Sequence, residues 1–374
     1  MSKSRVAVAM SGGVDSSVAA ALLGEAGYEV IGITMQLWPD DRLLGERSGG
    51  CCGVDAIERA RRVAARLGIT HYVINFREIF EETVIADFCQ EYQRGRTPNP
   101  CIRCNQFLKF DKLLTKAMEL DADYLATGHY ARIEESPEAY HLLKAVDRTK
   151  DQSYFLYILG QAELAHIKFP IGNWHKTEVR AKATKLQLAT ATVPESHDIC
   201  FIEEGDYRAF LEKHSENPTP GDITDTEGNL LGQHEGLSSY TIGQRHGLGL
   251  GFSKPLYVIR LDIKANRLVV GSAEKLLSRS LRASHLSWVS GIPPKSPAQT
   301  MTKIRYRAAE AETELRFYKD QAIVIFKEPQ KAITPGQAVV FYRDEEVLGG
   351  GTIESAGATD TDASKKNIEY PAII

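Results

Sequence analysis

The sequence predicts an α/β protein: an N-terminal domain built on a parallel sheet, then a β-rich part ending in a small antiparallel barrel. Three observations carry this. Up to about residue 205, strand-like runs alternate with helix-like runs, the rhythm of a parallel sheet with helices on both faces. Beyond it the composition shifts to short alternating segments separated by Gly, Asn and Asp turns. From about residue 280 four more runs alternate in the manner of strands and suggest closure into a barrel.

Residues 6–9 are a short apolar run that reads as the first strand, and the apolar stretch 18–23 reads as the helix after it. Gly27 suits the position just past a helix end, and 29–35 reads as the second strand. A helix over 55–67 stops at Gly68, and 71–75 is the third strand. Residues 79–94 and 109–119 have helical period, and 124–127 is a further strand. The stretch 217–222, with two prolines and a glycine, is a linker or turn. Residues 256–261 and 267–270 flank turn residues as a hairpin. The barrel strands are expected at 302–306, 312–317, 322–326 and 338–342, and the tail 357–374 is expected to be disordered.

Between the first strand and helix lies Met10-Ser11-Gly12-Gly13-Val14-Asp15-Ser16-Ser17. Two glycines let the backbone approach a ligand closely, successive N–H groups face one concavity, and a helix N-terminus adds positive potential. A phosphate chain fits that chemistry. No lysine follows the glycines, so this is not the loop that handles a γ-phosphate. Asp15 is expected to help hold Mg²⁺, which takes carboxylate and phosphate oxygens, or else to cap the helix. In a parallel sheet ligands sit beyond the carboxyl ends of the strands. The Ser-Gly-Gly turn, Met35, Gly128-His129 and the loop leading to Cys101 all fall there.

With 374 residues, two or three domains are expected, and a net charge of −4 leaves nucleic-acid contact to local basic patches. The run Lys303-Ile304-Arg305-Tyr306-Arg307 reads as such a patch, basic residues on one face of a strand. No leader-like segment and no apolar run near about 18 residues is visible, so a soluble, cytoplasmic protein with no membrane contact is expected.

Six cysteines in such a chain argue against a disulfide scaffold. Cys101 and Cys104 stand as C-x-x-C after Thr97-Pro98-Asn99-Pro100, whose prolines favour an extended loop, and Cys200 follows Ser196-His197-Asp198-Ile199. Three readings stay open. The thiols can be small buried apolar groups; they can hold zinc, with Cys51, Cys52 or His197 as a fourth ligand. They can also do sulfur chemistry, as a persulfide resolved to a disulfide or as a [4Fe-4S] cluster with one open iron on Cys101, Cys104 and Cys200. Cys89 on a helical face reads as packing. Arg103 and His197 are neighbours that can lower a thiol pKa.

The Ser-Gly-Gly-x-Asp-Ser turn resembles the PP-loop of ATP pyrophosphatases. Further motifs follow in order: Gly95-Arg96-Thr97-Pro98-Asn99-Pro100, Ala126-Thr127-Gly128-His129-Tyr130, Lys150-Asp151-Gln152-Ser153, Ile199-Cys200-Phe201-Ile202, Gly243-Gln244-Arg245, Arg305-Tyr306, Thr334-Pro335-Gly336-Gln337 and Leu348-Gly349-Gly350-Gly351. Together, over roughly residues 5 to 354, the chain resembles the bacterial tRNA-specific 2-thiouridylases, which replace the C2 oxygen of the wobble uridine by sulfur. The resemblance implies a PP-loop domain at 1–205, a small central domain at 206–278 and a β-barrel at 279–356. It implies ATP at Ala9, Met10, Ser11, Gly12, Gly13, Val14, Asp15, Ser16, Met35 and Gly128. It puts tRNA contacts on His129, Lys150, Asp151, Gln152, Arg305, Tyr306 and Gln337. It makes Cys104 the nucleophile and Cys200 the persulfide carrier, loaded by a cysteine desulfurase or a sulfur relay protein. Many members carry Asp at the position of Cys101, so a carboxylate role there is in doubt and a cluster ligand is the reading favoured here. An ammonia-using PP-loop synthetase would need an amide-hydrolysing domain or partner, and a metal-binding RNA chaperone would leave the PP-loop idle.

Overall fold

The computed structural model describes residues 3–37, 54–195, 199–202, 206–214, 219–251, 254–318 and 320–357. Cys51, Cys52, His197 and the tail from 358 onward lie outside these. The chain opens with β1 (Arg5–Ala9), α1 (Val14–Glu25), β2 (Glu29–Gln36), α2 (Val54–Leu67) and β3 (Thr70–Asn75). Next come α3 (Arg77–Phe80) and α4 (Ala86–Gln93), joined by a π-helical turn, and β4 (Tyr124–Ala126) and β7 (Ile167–Lys168) complete a sheet in the order β3-β2-β1-β4-β7. Its strand pairs are parallel. The central strand β1 is buried on both faces: Ala7 joins one apolar core with Ile31 and Ile33, while Val6 and Val8 join another beneath α1. That is why 6–9 reads as an unbroken apolar run rather than an alternating one.

The stretch around the C-x-x-C departs from expectation. Helix begins at Pro100 rather than near Lys109: α5 (Pro100–Arg103) continues through a π-helical stretch, Cys104–Leu113, into α6 (Leu114–Glu119). Asn99 caps it, accepting from the Ile102 N–H, and Pro100 takes the first helical position, where its missing N–H costs nothing. Cys101 and Cys104 therefore share one face of a helix start, three residues apart, instead of a loop.

After β4 the hairpin β5 (Ala131–Glu135) and β6 (Tyr140–Lys144) leaves the parallel sheet. Then follow α7 (Gln161–Leu164), α8 (Lys176–Lys185) and α9 (Tyr207–His214). Strands β8 (Gly221–Thr224), β9 (Leu230–His234), β10 (Tyr257–Asp262) and β11 (Arg267–Gly271) make a separate sheet around Val258, Leu268 and Val270. The expected hairpin is β10–β11.

The closed antiparallel barrel has six strands: β12 (Leu277–Trp288), β13 (Ala298–Lys303), β14 (Ala311–Tyr318), β15 (Gln321–Lys331), β16 (Ala338–Arg343) and β17 (Glu346–Ala356). β12 pairs with both β15 and β17 and so closes the ring. The four expected strands fall at β13 to β16, with one shift. β13 ends at Lys303, so Arg305, Tyr306 and Arg307 form a turn rather than one face of a strand. β17 contains Gly349-Gly350-Gly351, and neighbouring backbones press close on that run. A Cβ on Gly350 would stand 2.5 Å from the Val339 carbonyl oxygen and 2.7 Å from the Tyr157 ring. β6 also touches β17, Leu143 opposite Glu346, so a hairpin from the first part of the chain extends the barrel sheet. Among the described residues no helix is long and apolar enough to cross a membrane.

The segment before α5 is clasped by the barrel. Thr97 N–H donates to the Pro335 carbonyl (2.8 Å), and the Gln337 side-chain amide donates to the carbonyls of Thr97 (3.0 Å) and Pro98 (3.2 Å). Arg96 pairs at once with Glu91 (2.6 Å) and with Glu354 on β17. Burial opposes the Glu354 charge, but hydrogen bonds from Arg96 and Ser284 outweigh it and hold its pKa below the ordinary 4.5. That clasp should therefore stabilise the fold above that pH and weaken as acid titrates the folded carboxylate. Glu354→Gln is expected to lose about 1–3 kcal/mol at pH 7. The gap to the parent protein should close as unfolding is followed down through pH 4; a gap independent of pH would remove the ion pair as its cause.

Candidate active site

Beyond the carboxyl end of β1 the backbone turns under steric compulsion. Gly12 has φ +70°, and a Cβ on it would stand 2.3 Å from the Ala56 carbonyl oxygen at the start of α2. Ser11 and Ser16 face each other across the turn: Ser11 N–H donates to Ser16 Oγ (3.2 Å), and the two hydroxyls lie 3.3 Å apart. Gly13 is the N-cap of α1 and supplies no side-chain cap, so the first amides of a twelve-residue helix keep their donors for a ligand. The end of β4 closes the other wall. A Cβ on Gly128 would meet Ser16 N at 2.6 Å, so only glycine lets this strand end lie against the helix start. Met35 is buried at the end of β2.

Asp15 is neither a helix cap nor a lone surface carboxylate. It accepts from Tyr130 OH (2.9 Å) and from Lys176 Nζ through both oxygens (2.7 and 2.8 Å). Lys176 opens α8, where the helix dipole disfavours a cation, and its side chain is only 9% exposed. Asp147 fixes that helix start by accepting the Lys176 backbone N–H (3.0 Å). Glu195 lies 3.5 Å from Lys176 and from Arg180 and accepts from Lys150 Nζ at 2.7 Å. Burial works against the Glu195 charge, yet the Lys150 hydrogen bond and the Lys176 charge hold its pKa below the ordinary value. Sequence reading missed Lys176, Tyr130 and Glu195. The one signal was a lysine at the first helical position after a His175…Glu178 capping pattern.

Among the described residues, Asp15 Oδ1 accepts from Tyr130 and Lys176 and Oδ2 from Lys176 alone, which leaves Oδ2 a lone pair. One carboxylate oxygen beside phosphate oxygens suits Mg²⁺, which is commonly held in that way.

The expected RNA-contacting residues occupy different situations. Lys150 is engaged by Glu195; Asp151 is buried, accepting from Ala145 N–H (2.9 Å) and Ser153 Oγ (2.8 Å). Gln152 accepts from the Tyr130 N–H at 3.0 Å, and Gln337 holds the approach to α5. Arg305 is exposed, and Tyr306 packs on Phe155 with ring centroids 4.5 Å apart. Burial first, and then the charge of Asp151, raises the Tyr306 pKa, with Cys101 and Glu195 adding to the push. This tyrosine therefore stands in the same electrostatic neighbourhood as the exposed thiol.

Cys101 is exposed, Cys104 buried and Cys200 half-buried. Cys101 lies in the first turn of the helix and Cys104 just past it. Cys104 belongs to the large apolar core, and Cys200 packs against that same core. Phe201 anchors the Cys200 segment between Phe80, Phe88 and Phe210. Arg103 pairs with Asp87 at 3.3 Å and so ties the start of α5 to α4. Among the described residues no three Cys, His, Asp or Glu side chains are placed to hold a metal ion. Among the described residues, Cys101, Cys104 and Cys200 are not gathered as a three-ligand set.

His129 packs against the rings of Phe110 and Phe169, its Nδ1 2.6 Å from Thr127 Oγ1. Burial, and then the nearby Lys109 charge, push its pKa well below 6.5. The unfolded chain then binds this proton more readily than the folded one, so stability should fall as pH drops below that value. His129→Gln is expected to flatten the stability–pH curve between pH 7 and 5 in urea unfolding. An unchanged slope would show that the imidazole is not held neutral.

Three family models match. A tRNA methyl transferase HUP domain covers residues 4–204, a tRNA methyl transferase PRC-barrel domain 208–272 and an aminomethyltransferase β-barrel domain 278–353. A relative named tRNA-specific 2-thiouridylase MnmA from Carboxydothermus hydrogenoformans is 52% identical, the match covering 94% of this chain and 98% of the relative. Its namesake from Acetivibrio thermocellus is 49% identical over 95% and 100%. Among solved structures, a 4-thiouridine synthetase–RNA complex with bound ATP aligns at TM-score 0.34 and 14% identity, over 56% of this chain and 50% of that one, too loosely to carry an argument. On the strength of its relatives, this chain belongs to the tRNA-specific 2-thiouridylase family.

Proposed function

We propose that this enzyme converts the wobble uridine of tRNA to 2-thiouridine, releasing AMP and pyrophosphate from ATP. The observation that carries the reading is one of placement. The phosphate-binding turn lies at the carboxyl edge of a parallel sheet, and two thiols from distant segments, Cys104 and Cys200, pack into one apolar core.

A uracil C2 oxygen is a poor leaving group. In the first step it attacks the α-phosphorus of ATP; the O–Pα bond forms, the bridge to the β-phosphate breaks, and pyrophosphate carries off the electron pair. The amides of α1 with Ser11, Gly12, Gly13 and Ser16 hold the phosphates, Met35 and Gly128 border the nucleotide, and Ala9, Met10 and Val14 shape the turn. Mg²⁺, where bound at Asp15, supplies charge neutralisation to the phosphates.

In the second step the terminal sulfur of a Cys200 persulfide bonds to C2 and AMP leaves. The Cys104 thiolate then attacks Cys200 Sγ, the S–S bond breaks, and its electrons stay on the sulfur now attached to C2. The products are 2-thiouridine and a Cys104–Cys200 disulfide, which an external thiol reduces before a persulfide-bearing donor, such as a cysteine desulfurase or sulfur relay protein, reloads Cys200. No step passes through an iron–sulfur cluster, and Cys101 is then an exposed neighbour of the target base rather than a ligand.

The anticodon loop, single-stranded with bases that can be splayed out, suits such a pocket. Arg305 offers a phosphate contact and Tyr306 a stacking face. His129, Lys150, Asp151, Gln152 and Gln337 shape the surface that receives the loop. The domains of this reading are 1–205 for adenylation and thiol chemistry, 206–278 as a small central domain, 279–356 as the barrel and 357–374 as a tail, in a cytoplasmic enzyme.

The test is pyrophosphate release from ATP that depends on tRNA; its absence in the unaltered protein would remove the reading. Cys104→Ser and Cys200→Ser are each expected to abolish 2-thiouridine formation while pyrophosphate release persists. Cys101→Ala and rigorously iron-free protein are expected to stay active. Loss of iron and activity together in Cys101→Ala would instead restore the cluster.

A further inference from the structure

We propose that Lys176 is the cation that receives the phosphates of ATP during adenylation, held ready by Asp15. The inference rests on the adenylation reading above and assigns a residue to it. Adenylation places negative charge on the α-phosphate oxygens and on the departing pyrophosphate, and fixed positive groups aimed at that charge are what lower the barrier. The glycine-rich turn brings backbone amides but no lysine of its own. It also brings a carboxylate, Asp15, which by itself would repel a triphosphate.

Lys176 corrects both deficits. Its ammonium lies 2.7 and 2.8 Å from the two Asp15 oxygens, in the first turn of α1 and one residue from Ser16, whose hydroxyl closes the turn. A lysine ammonium has three donors. Two go to Asp15, and the third faces the Glu195 oxygen at 3.5 Å, a long contact beside the two short ones. A phosphate oxygen has to displace only that long contact, and Glu195 keeps Lys150 at 2.7 Å, so Lys176 need not abandon Asp15 to bind one. The Tyr130 hydroxyl holds Asp15 from the other side and the Asp147 carboxylate holds the backbone of Lys176, which fixes the ammonium in place.

The setting is costly for a purely structural lysine. It is buried, it opens a helix whose dipole repels it, and a buried ion pair stabilises a fold little against an apolar replacement. Among the described residues the nearby cations are otherwise engaged: Arg59 donates to the Gly12 carbonyl (3.0 Å), and Lys150 and Arg180 face Glu195. Lys176 makes no covalent bond and transfers no proton. It donates a hydrogen bond to oxygens whose charge grows as the Pα–O–Pβ bridge breaks.

The experiment uses the full chain. Pyrophosphate release by the unaltered protein is measured first; without it the adenylation reading fails, whatever Lys176 does. Lys176→Met is then expected to lose about a hundred- to a thousandfold in tRNA-dependent pyrophosphate release. Its ATP affinity should fall while its adenosine affinity stays at the parent value. Release within about threefold of the parent, or equal losses of adenosine and ATP binding, would overturn the proposal in favour of a structural role. Should Lys176→Met fail to fold, Lys176→Arg keeps the charge against Asp15 and carries the test. Its planar fork cannot occupy the ammonium position, so at a parent-like melting temperature a roughly tenfold loss is expected. Unchanged turnover in that variant would overturn the proposal.

Discussion

The structure turns on how the barrel grips three residues of extended chain, Arg96 to Pro98. An X-Pro-X-Pro segment cannot satisfy its own backbone in a helix or a central strand, so its polar groups need partners from elsewhere. The barrel supplies them through the Pro335 carbonyl, the Gln337 amide and Glu354. Gly336 sits close enough that a Cβ there would stand 2.9 Å from the Thr97 nitrogen. Two bodies of different architecture thus fix the start of the helix that bears Cys101 and Cys104. The position of those thiols is a property of the whole chain, not of the first domain alone.

Charge is arranged locally in a protein whose net charge is only −4. Asp15, Lys176 and Glu195 alternate in sign away from the glycine turn, and Glu195 then faces two cations, Lys150 and Arg180. Each buried member is compensated by the next, which is the condition under which such groups are tolerated at all. Glu195, which joins this group, stands five residues before Cys200 in the sequence.

Much of this was legible in the residues. The run 6–9, the glycine turn and the apolar helix after it form a local strand–turn–helix unit, and local units are what periodicity reports. The hairpin at β10–β11 and the strands β13 to β16 were legible for the same reason. What escaped depends on contacts far apart in sequence. Nothing near Asp15 announces a lysine at 176, and nothing in Gly349 to Gly351 announces that neighbouring backbones forbid a side chain. The two prolines before Cys101 suggested an extended loop because proline is usually a breaker; one of them instead occupies the first helical position, where it is tolerated. The basic run at 303–307 was assigned to a strand by alternation, but the ladder to β16 stops at Lys303 and the arginines lie in the turn beyond.

The hairpin β5–β6 has a consequence for how the protein can be divided. It belongs by sequence to the first part of the chain, yet it lies along β17 beside Glu346, and Lys144 reaches the Asp344 carbonyl at 2.7 Å. Cutting the chain near residue 205 would not yield two self-sufficient pieces. The N-terminal fragment would carry a two-stranded ribbon with a bare edge, and the C-terminal fragment would expose the start of β17; both are templates for adventitious strand pairing. Recombining the barrel with a different parallel sheet would meet the same obstacle, since the ribbon that borders β17 would have to travel with it.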